Sequence, residues 1–248
     1  MTLAVVIFVT VALGASLQRI SGMGMGLIGG PILSLFLGPV EGIMVVNVLA
    51  FINAIMSTYS VRRDVDWKKF AIIAAPMVIG AIPGAFLIKA ISGSLLQVIV
   101  GSLLLIALAV VTLGQRYVPV VRGTGPAVTA GIVGGFMNTL AGIAGPAITV
   151  YAQASRWEQR AYASTLQPIF IVSAFVSIVV KSATGAGSIE HISALAWAGG
   201  VVAMFIGIFL GSKVANKVPR DKARALALGL ATLGGISVLA RGAIGLIQ

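Results

Sequence analysis

The sequence predicts an all-α polytopic membrane protein made of two inverted repeats, each a re-entrant helix hairpin followed by three transmembrane helices. Three observations carry this expectation. First, 58% of the 248 residues are hydrophobic, only 9% are charged and the mean hydropathy is +1.08, a composition that cannot cover the surface of a water-soluble domain. Second, a Gly/Pro break interrupts an apolar stretch twice, at Gly26-Leu27-Ile28-Gly29-Gly30-Pro31 and at Gly142-Ile143-Ala144-Gly145-Pro146. Paired breaks in corresponding positions of two halves point to a midplane binding site. Third, the Lys and Arg residues sit in short clusters between apolar spans, where they report topology.

The first apolar region, 2–38, is too long for one crossing. A continuous helix of that length would measure about 54 Å against a core of ~30 Å, so the segment folds back or crosses twice. Met1-Thr2-Leu3-Ala4 has no Lys or Arg before the apolar run, unlike a signal peptide, and is read as the start of the first helix. Continuous apolar segments follow at 42–61, 67–90 and 94–114, each about the 20 residues a span needs. The second broken region, 124–154, has arms 124–137 and 142–154, both too short to cross. Three more spans follow at 161–181, 191–212 and 224–246.

Loop charge decides how the broken regions sit. If both crossed once, the basic residues would divide evenly between the two sides. If both enter and leave on one side, Arg62, Arg63, Lys68, Lys69, Arg116, Arg122, Arg156, Arg160, Lys213, Lys217, Arg220, Lys222 and Arg224 share one face and only Lys89, Lys181 and Arg241 lie opposite. The excess belongs on the cytoplasmic side, which puts both termini outside. Each half then crosses an odd number of times, so 1–116 and 121–248 are inverted repeats of a single transmembrane domain, 1–248. The leading arm of the first hairpin is the longer one, and its re-entrant reading rests on symmetry with the second.

The hairpin tips carry the expected chemistry. Irregular backbone at membrane depth must be buried in protein or line a wet cavity, and glycine lets it approach a ligand closely. Returning half-helices aim free N–H groups and a positive dipole end at that ligand, which favours a small anion. The candidate substrate contacts are Arg19, Ser21, Gly22 and Gly24 of the first tip and Asn138, Thr139 and Gly142 of the second. Asn47, Ser164 and Gln167, on the first span after each hairpin, complete the set. Arg19 either contacts the anion or satisfies hairpin carbonyls; Asn138 and Thr139 either donate to it or cap a half-helix; the polar span residues either touch substrate or link helices. Gly26, Gly29, Gly30, Pro31, Gly145 and Pro146 shape the hairpins, the prolines by suiting a helix start.

Several function classes are excluded. The net charge of +11 lies in loops rather than along one basic element, so nucleic acid is not the partner. Cysteine is absent and His191 is the single histidine, so neither a metal site nor a cofactor is expected. The six acids, Glu41, Asp64, Asp66, Glu158, Glu190 and Asp221, all fall at loops or span ends, leaving no carboxylate relay through the membrane. No triad spacing, metal motif or phosphate loop supports an enzyme.

With its two Gly-rich breaks ending in Pro31 and Pro146, each near the start of a half, and basic loops between spans, the chain resembles the sulfite exporter TauE/SafE family, also called the 4-toluene sulfonate uptake permease family. The first copy departs from an expected glycine run at Met25, and the second has Ala144 where glycine is usual. The resemblance implies a bacterial inner or plasma membrane protein that transports sulfite, sulfoacetate or another organosulfonate. Remaining alternatives are an anion channel, a transporter of a carboxylate or other small anion, and a structural membrane subunit without transport activity.

Overall fold

The computed structural model describes residues 2–21, 25–113, 119–190, 192–215 and 217–248. Gly22, Gly24, Arg116 and His191 lie outside the described residues. Those described form α-helices without strands: α1 Thr2–Ser21, α2 Met25–Leu37, α3 Pro39–Val61, α4 Trp67–Ala74, α5 Met77–Ala90, α6 Gly93–Leu113, α7 Gly125–Ala141, α8 Gly145–Ala154, α9 Gln159–Thr184, α10 Ala194–Val214 and α11 Arg220–Ile247.

Among the described residues, seven helical stretches are long and apolar enough to cross a membrane, so this is an integral membrane protein. Six correspond to the spans expected from sequence, and the seventh is Leu3–Ser21. The span expected at 67–90 breaks between α4 and α5 at Pro76, whose missing N–H removes a ladder bond. By contrast α7 has 17 residues and α8 only 10. The ends of this hairpin come back together, since the Val121 N–H donates to the Ala154 carbonyl at 3.0 Å.

Small residues set the helix packing, as they do where lipid removes the hydrophobic drive for association. α1 runs parallel to α10: a Cβ on Gly207 would stand 2.5 Å from the Ala12 carbonyl oxygen, and one on Gly211 would stand 2.8 Å from that of Ser16. α7 runs parallel to α4 and α5, with Gly131 against the Ile73 carbonyl and Gly84 against Thr139. α2 lies antiparallel on α3, Gly42 meeting the Leu33 carbonyl carbon and Gly29 meeting Val46. α6 pairs with α11, and α3 with α9.

The basic loops converge on one face. Arg160 pairs with Asp64 at 3.0 Å, the Asp66 N–H donates to Thr165 Oγ1 at 2.9 Å, and the Lys69 ammonium lies 4.3 Å from the centre of the Trp157 ring. Toward the other face the Lys89 ammonium donates to the Thr184 carbonyl at 2.8 Å, and an Arg241 N–H donates to that of Leu35.

The first Gly/Pro break differs from expectation. Gly26 to Pro31 lie inside α2, with Pro31 in its interior rather than at its start. Their glycines provide close approach instead of chain reversal: Gly26 abuts Gly142, Gly29 abuts Val46 and Gly30 faces the Ala141 carbonyl. Packing on three sides outweighs the helix penalty of about 1 kcal/mol per glycine. At the second break the helix is interrupted between Ala141 and Gly145. Gly142 takes a left-handed φ of +71° with its N–H on the Asn138 carbonyl, and Pro146 sits in the first turn of α8.

Candidate functional site

A central cavity of about 90 Å³ lies where the two hairpins meet, room for several waters or one small oxyanion. Its walls are mostly apolar, from Ala107, Leu108 and Val111 of α6, Leu166 and Phe170 of α9 and Leu228 of α11. Into this surface project Gln18, Asn47, Asn138, Thr149, Tyr162 and Ser173, together with the backbone of Gly26 and of Gly142 to Pro146.

Asn47 and Asn138 form the polar core of one wall. Asn138 Nδ2 donates to Asn47 Oδ1 at 3.2 Å and to the Ser173 carbonyl at 2.9 Å, while Asn47 Nδ2 donates to Ser177 Oγ at 2.9 Å. This ties α3, α7 and α9 together at one level. On another wall Thr149 Oγ1 lies 2.6 Å from the Tyr162 hydroxyl and donates to the Gly145 carbonyl at 2.8 Å, so the tyrosine supplies the proton of the shorter bond.

The two returning helices are not equivalent. At α2, Gln18 Oε1 accepts the Met25 N–H at 3.1 Å and so caps that end. At α8 no side chain caps the first turn, which leaves its N–H groups and dipole end to the cavity. Among the described lining residues of this cavity there is no charged side chain.

Two larger cavities adjoin it on the basic face. One, about 530 Å³, is bordered by Arg19, Asn53, Ser164, Gln167, Asp221 and Arg224, and it shares Gln18 with the central cavity. The other, about 450 Å³, is bordered by Gln153, Arg156, Trp157 and Arg224, and it shares Thr149 and Tyr162. Cationic vestibules thus adjoin a neutral, donor-lined chamber.

The candidates from sequence divide accordingly. Asn47, Asn138 and Gly142 reach the central cavity, with Gly26, Gly145 and Pro146. Arg19, Ser21, Ser164 and Gln167 border the 530 Å³ vestibule instead. There Arg19 is exposed, level with the last turn of α10, and its Nε donates to Ser212 Oγ at 3.0 Å. Buried Thr139 donates to the Gly135 carbonyl at 2.9 Å and packs against Gly84, which is a helix-packing role. Gln18, Thr149, Tyr162, Ser173 and Arg224 were not among the candidates. Gln18 stood next to Arg19 in the first tip, whereas nothing local marks Thr149 or Tyr162.

The family model described as Sulfite exporter TauE/SafE matches residues 6–238, nearly the whole chain. No curated protein and no solved structure matches.

Proposed function

The chain belongs to the sulfite exporter TauE/SafE family, and from that premise we propose that it exports a small sulfur-containing anion, such as sulfite, sulfoacetate or another organosulfonate, by alternating access around the central cavity. The observation that carries this reading is the meeting of the two hairpins, Gly26 against Gly142, beside the uncapped N-terminus of α8. Free N–H groups and a positive dipole end replace water around an oxyanion's oxygens, and the apolar walls strengthen that interaction by lowering the local dielectric.

Arg19, Arg156 and Arg224 border the vestibules and raise the local anion concentration by long-range attraction. With the basic face toward the cytoplasm, these vestibules load the chamber from inside and both termini lie outside. An inside-negative potential then favours anion exit by about 2.3 kcal/mol per charge per 100 mV, so export requires no coupling ion.

Alternating access needs two halves that can rock against each other. Support for inverted repeats lies in the exchange of partners: α1 packs on α10 of the other half, α7 packs on α4 and α5 of the other half, and α3–α9 and α6–α11 pair like with like. In this reading the α7–α8 hairpin is re-entrant, while α1, of span length, follows α10 as far as its last turn and α2 returns toward the side from which α1 entered.

The deciding experiment is flux of sulfite and of sulfoacetate from proteoliposomes under an imposed membrane potential. Saturable, potential-driven flux is expected. Conductance without saturation would make the protein a channel, and no flux of either anion in folded, oriented protein would sink the substrate assignment.

A further inference from the structure

Lys181 is the one charged side chain among the buried residues described, with 0% exposure. Its ammonium has no hydrogen-bond partner among the described residues. An ion this deep normally pairs or moves to the interface, because an unpaired charge is poorly solvated in a low-dielectric interior. Lys89 shows the ordinary solution close by, exposed and bonded to the Thr184 carbonyl.

The position of Lys181 gives it a use. Ser173, Ser177 and Lys181 follow one another at intervals of four on α9 and so share one face. The Ser173 carbonyl and the Ser177 hydroxyl are the groups that hold Asn138 and Asn47. Lys181 is therefore one turn, about 6 Å, beyond the asparagine pair on the side away from the vestibules. Helix geometry tilts its side chain back toward Ser177. Asn47, Asn138 and Ser177 are themselves buried, so the wall between chamber and ammonium is closed.

We propose that Lys181 is a second anion site, on the outer side of the Asn47–Asn138 wall, which takes a small oxyanion after that wall opens and passes it to the external face. The inference rests on the transport reading above and adds to it the residue that receives the anion on the exit side. The chamber offers neutral donors and Lys181 a full charge, so opening the wall gives the anion a partner one turn further out. Arrival of the anion in turn supplies the counter-charge that the ammonium lacks in the closed state.

The test is sided exchange of sulfite in proteoliposomes of known orientation, comparing wild type with Lys181→Met and Lys181→Arg. In Lys181→Met the half-saturation concentration at the external face should rise at least tenfold while that at the cytoplasmic face stays within twofold, and Lys181→Arg should recover most of the external affinity. Thermal unfolding in nanodiscs separates this from a structural role: removing an unpaired buried charge should leave the unfolding temperature unchanged or higher. External affinity within twofold of wild type, an equal loss on both faces, or a lower unfolding temperature in Lys181→Met would each overturn the proposal. Absence of sulfite exchange in wild type would instead remove the transport reading, and this inference with it.

Discussion

Gly26 of α2 lies so close to Gly142, at the end of α7, that a Cβ built on Gly26 would stand 2.5 Å from the Gly142 carbonyl oxygen. Two hairpins from opposite halves thus meet backbone to backbone, and neither partner tolerates a side chain for its own reason. At Gly26 the obstacle is space. At Gly142 it is the positive φ, since the nearest side-chain atom, on Ile43, is at an ordinary 3.4 Å.

Gly26→Ala should therefore push the hairpins apart, destabilise the protein by about 1–3 kcal/mol as an overpacked site does, and abolish flux. Gly142→Ala should cost about 1–2 kcal/mol through backbone strain and keep partial flux. Thermal unfolding in detergent with flux on the same preparations checks both.

Asn138→Ala leaves the buried Asn47 Oδ1 without its donor and takes the side-chain donor from the Ser173 carbonyl. The expected loss is about 1–3 kcal/mol. Asn47→Ala, measured alone and together with Asn138→Ala in a double-mutant cycle, should show coupling of at least about 0.5 kcal/mol because the two side chains bond to each other.

Arg19→Gln and Arg224→Gln should weaken the cytoplasmic-side apparent affinity severalfold without abolishing flux, because both residues border the vestibule rather than the chamber. The deficit should shrink as salt rises from about 20 to about 200 mM, because the Debye length falls over that range from roughly 20 to roughly 7 Å and screens exposed charges. A complete loss of flux in Arg19→Gln would place that residue in the binding chamber instead.

Glu158 caps α9 from outside the membrane span. The N–H groups of Ala161 and then Arg160 hold its carboxyl below the ordinary 4.5, and the nearby Arg160 charge adds to this. A carboxylate whose folded pKa is depressed contributes stability above its unfolded value and loses it as pH falls through the folded one. Wild type should accordingly lose stability on acidification below about pH 4.5, and Glu158→Gln should be less stable at neutral pH but flatter through that window. Unfolding temperature against pH between 3 and 7 reads the difference.

The sequence has no cysteine, so single cysteines report topology without a background. Ser193→Cys should react with an impermeant maleimide added outside, and Asp64→Cys only after permeabilisation. The opposite pattern would reverse the orientation assigned from loop charge.

Much of this architecture was legible in the residues because it depends on properties that add along the chain. Hydropathy set the solvent and six of the spans, and the clustering of Lys and Arg foretold a basic face that the Asp64–Arg160 pair and the Lys69–Trp157 contact now join. The second break was readable too, since Gly142 needs a left-handed φ and Pro146 suits a first helical turn.

What the tertiary structure alone decided are relations between residues far apart in sequence. Gly26 to Pro31 read as a chain break, yet they fold as helix because their missing side chains let α2 press on α3 and on the tip of the other half. Arg19 read as the tip cation, yet the pitch of α1 turns it to the vestibule and gives Gln18 to the chamber. Asn47 finds Asn138 and Ser177 across 91 and 130 residues, and Thr149 meets Tyr162 only because α8 folds back onto α9. Composition and local conformation fix which segments enter the bilayer; which side chains then face one another depends on how closely backbones can approach, and that distance exists only once the helices are packed.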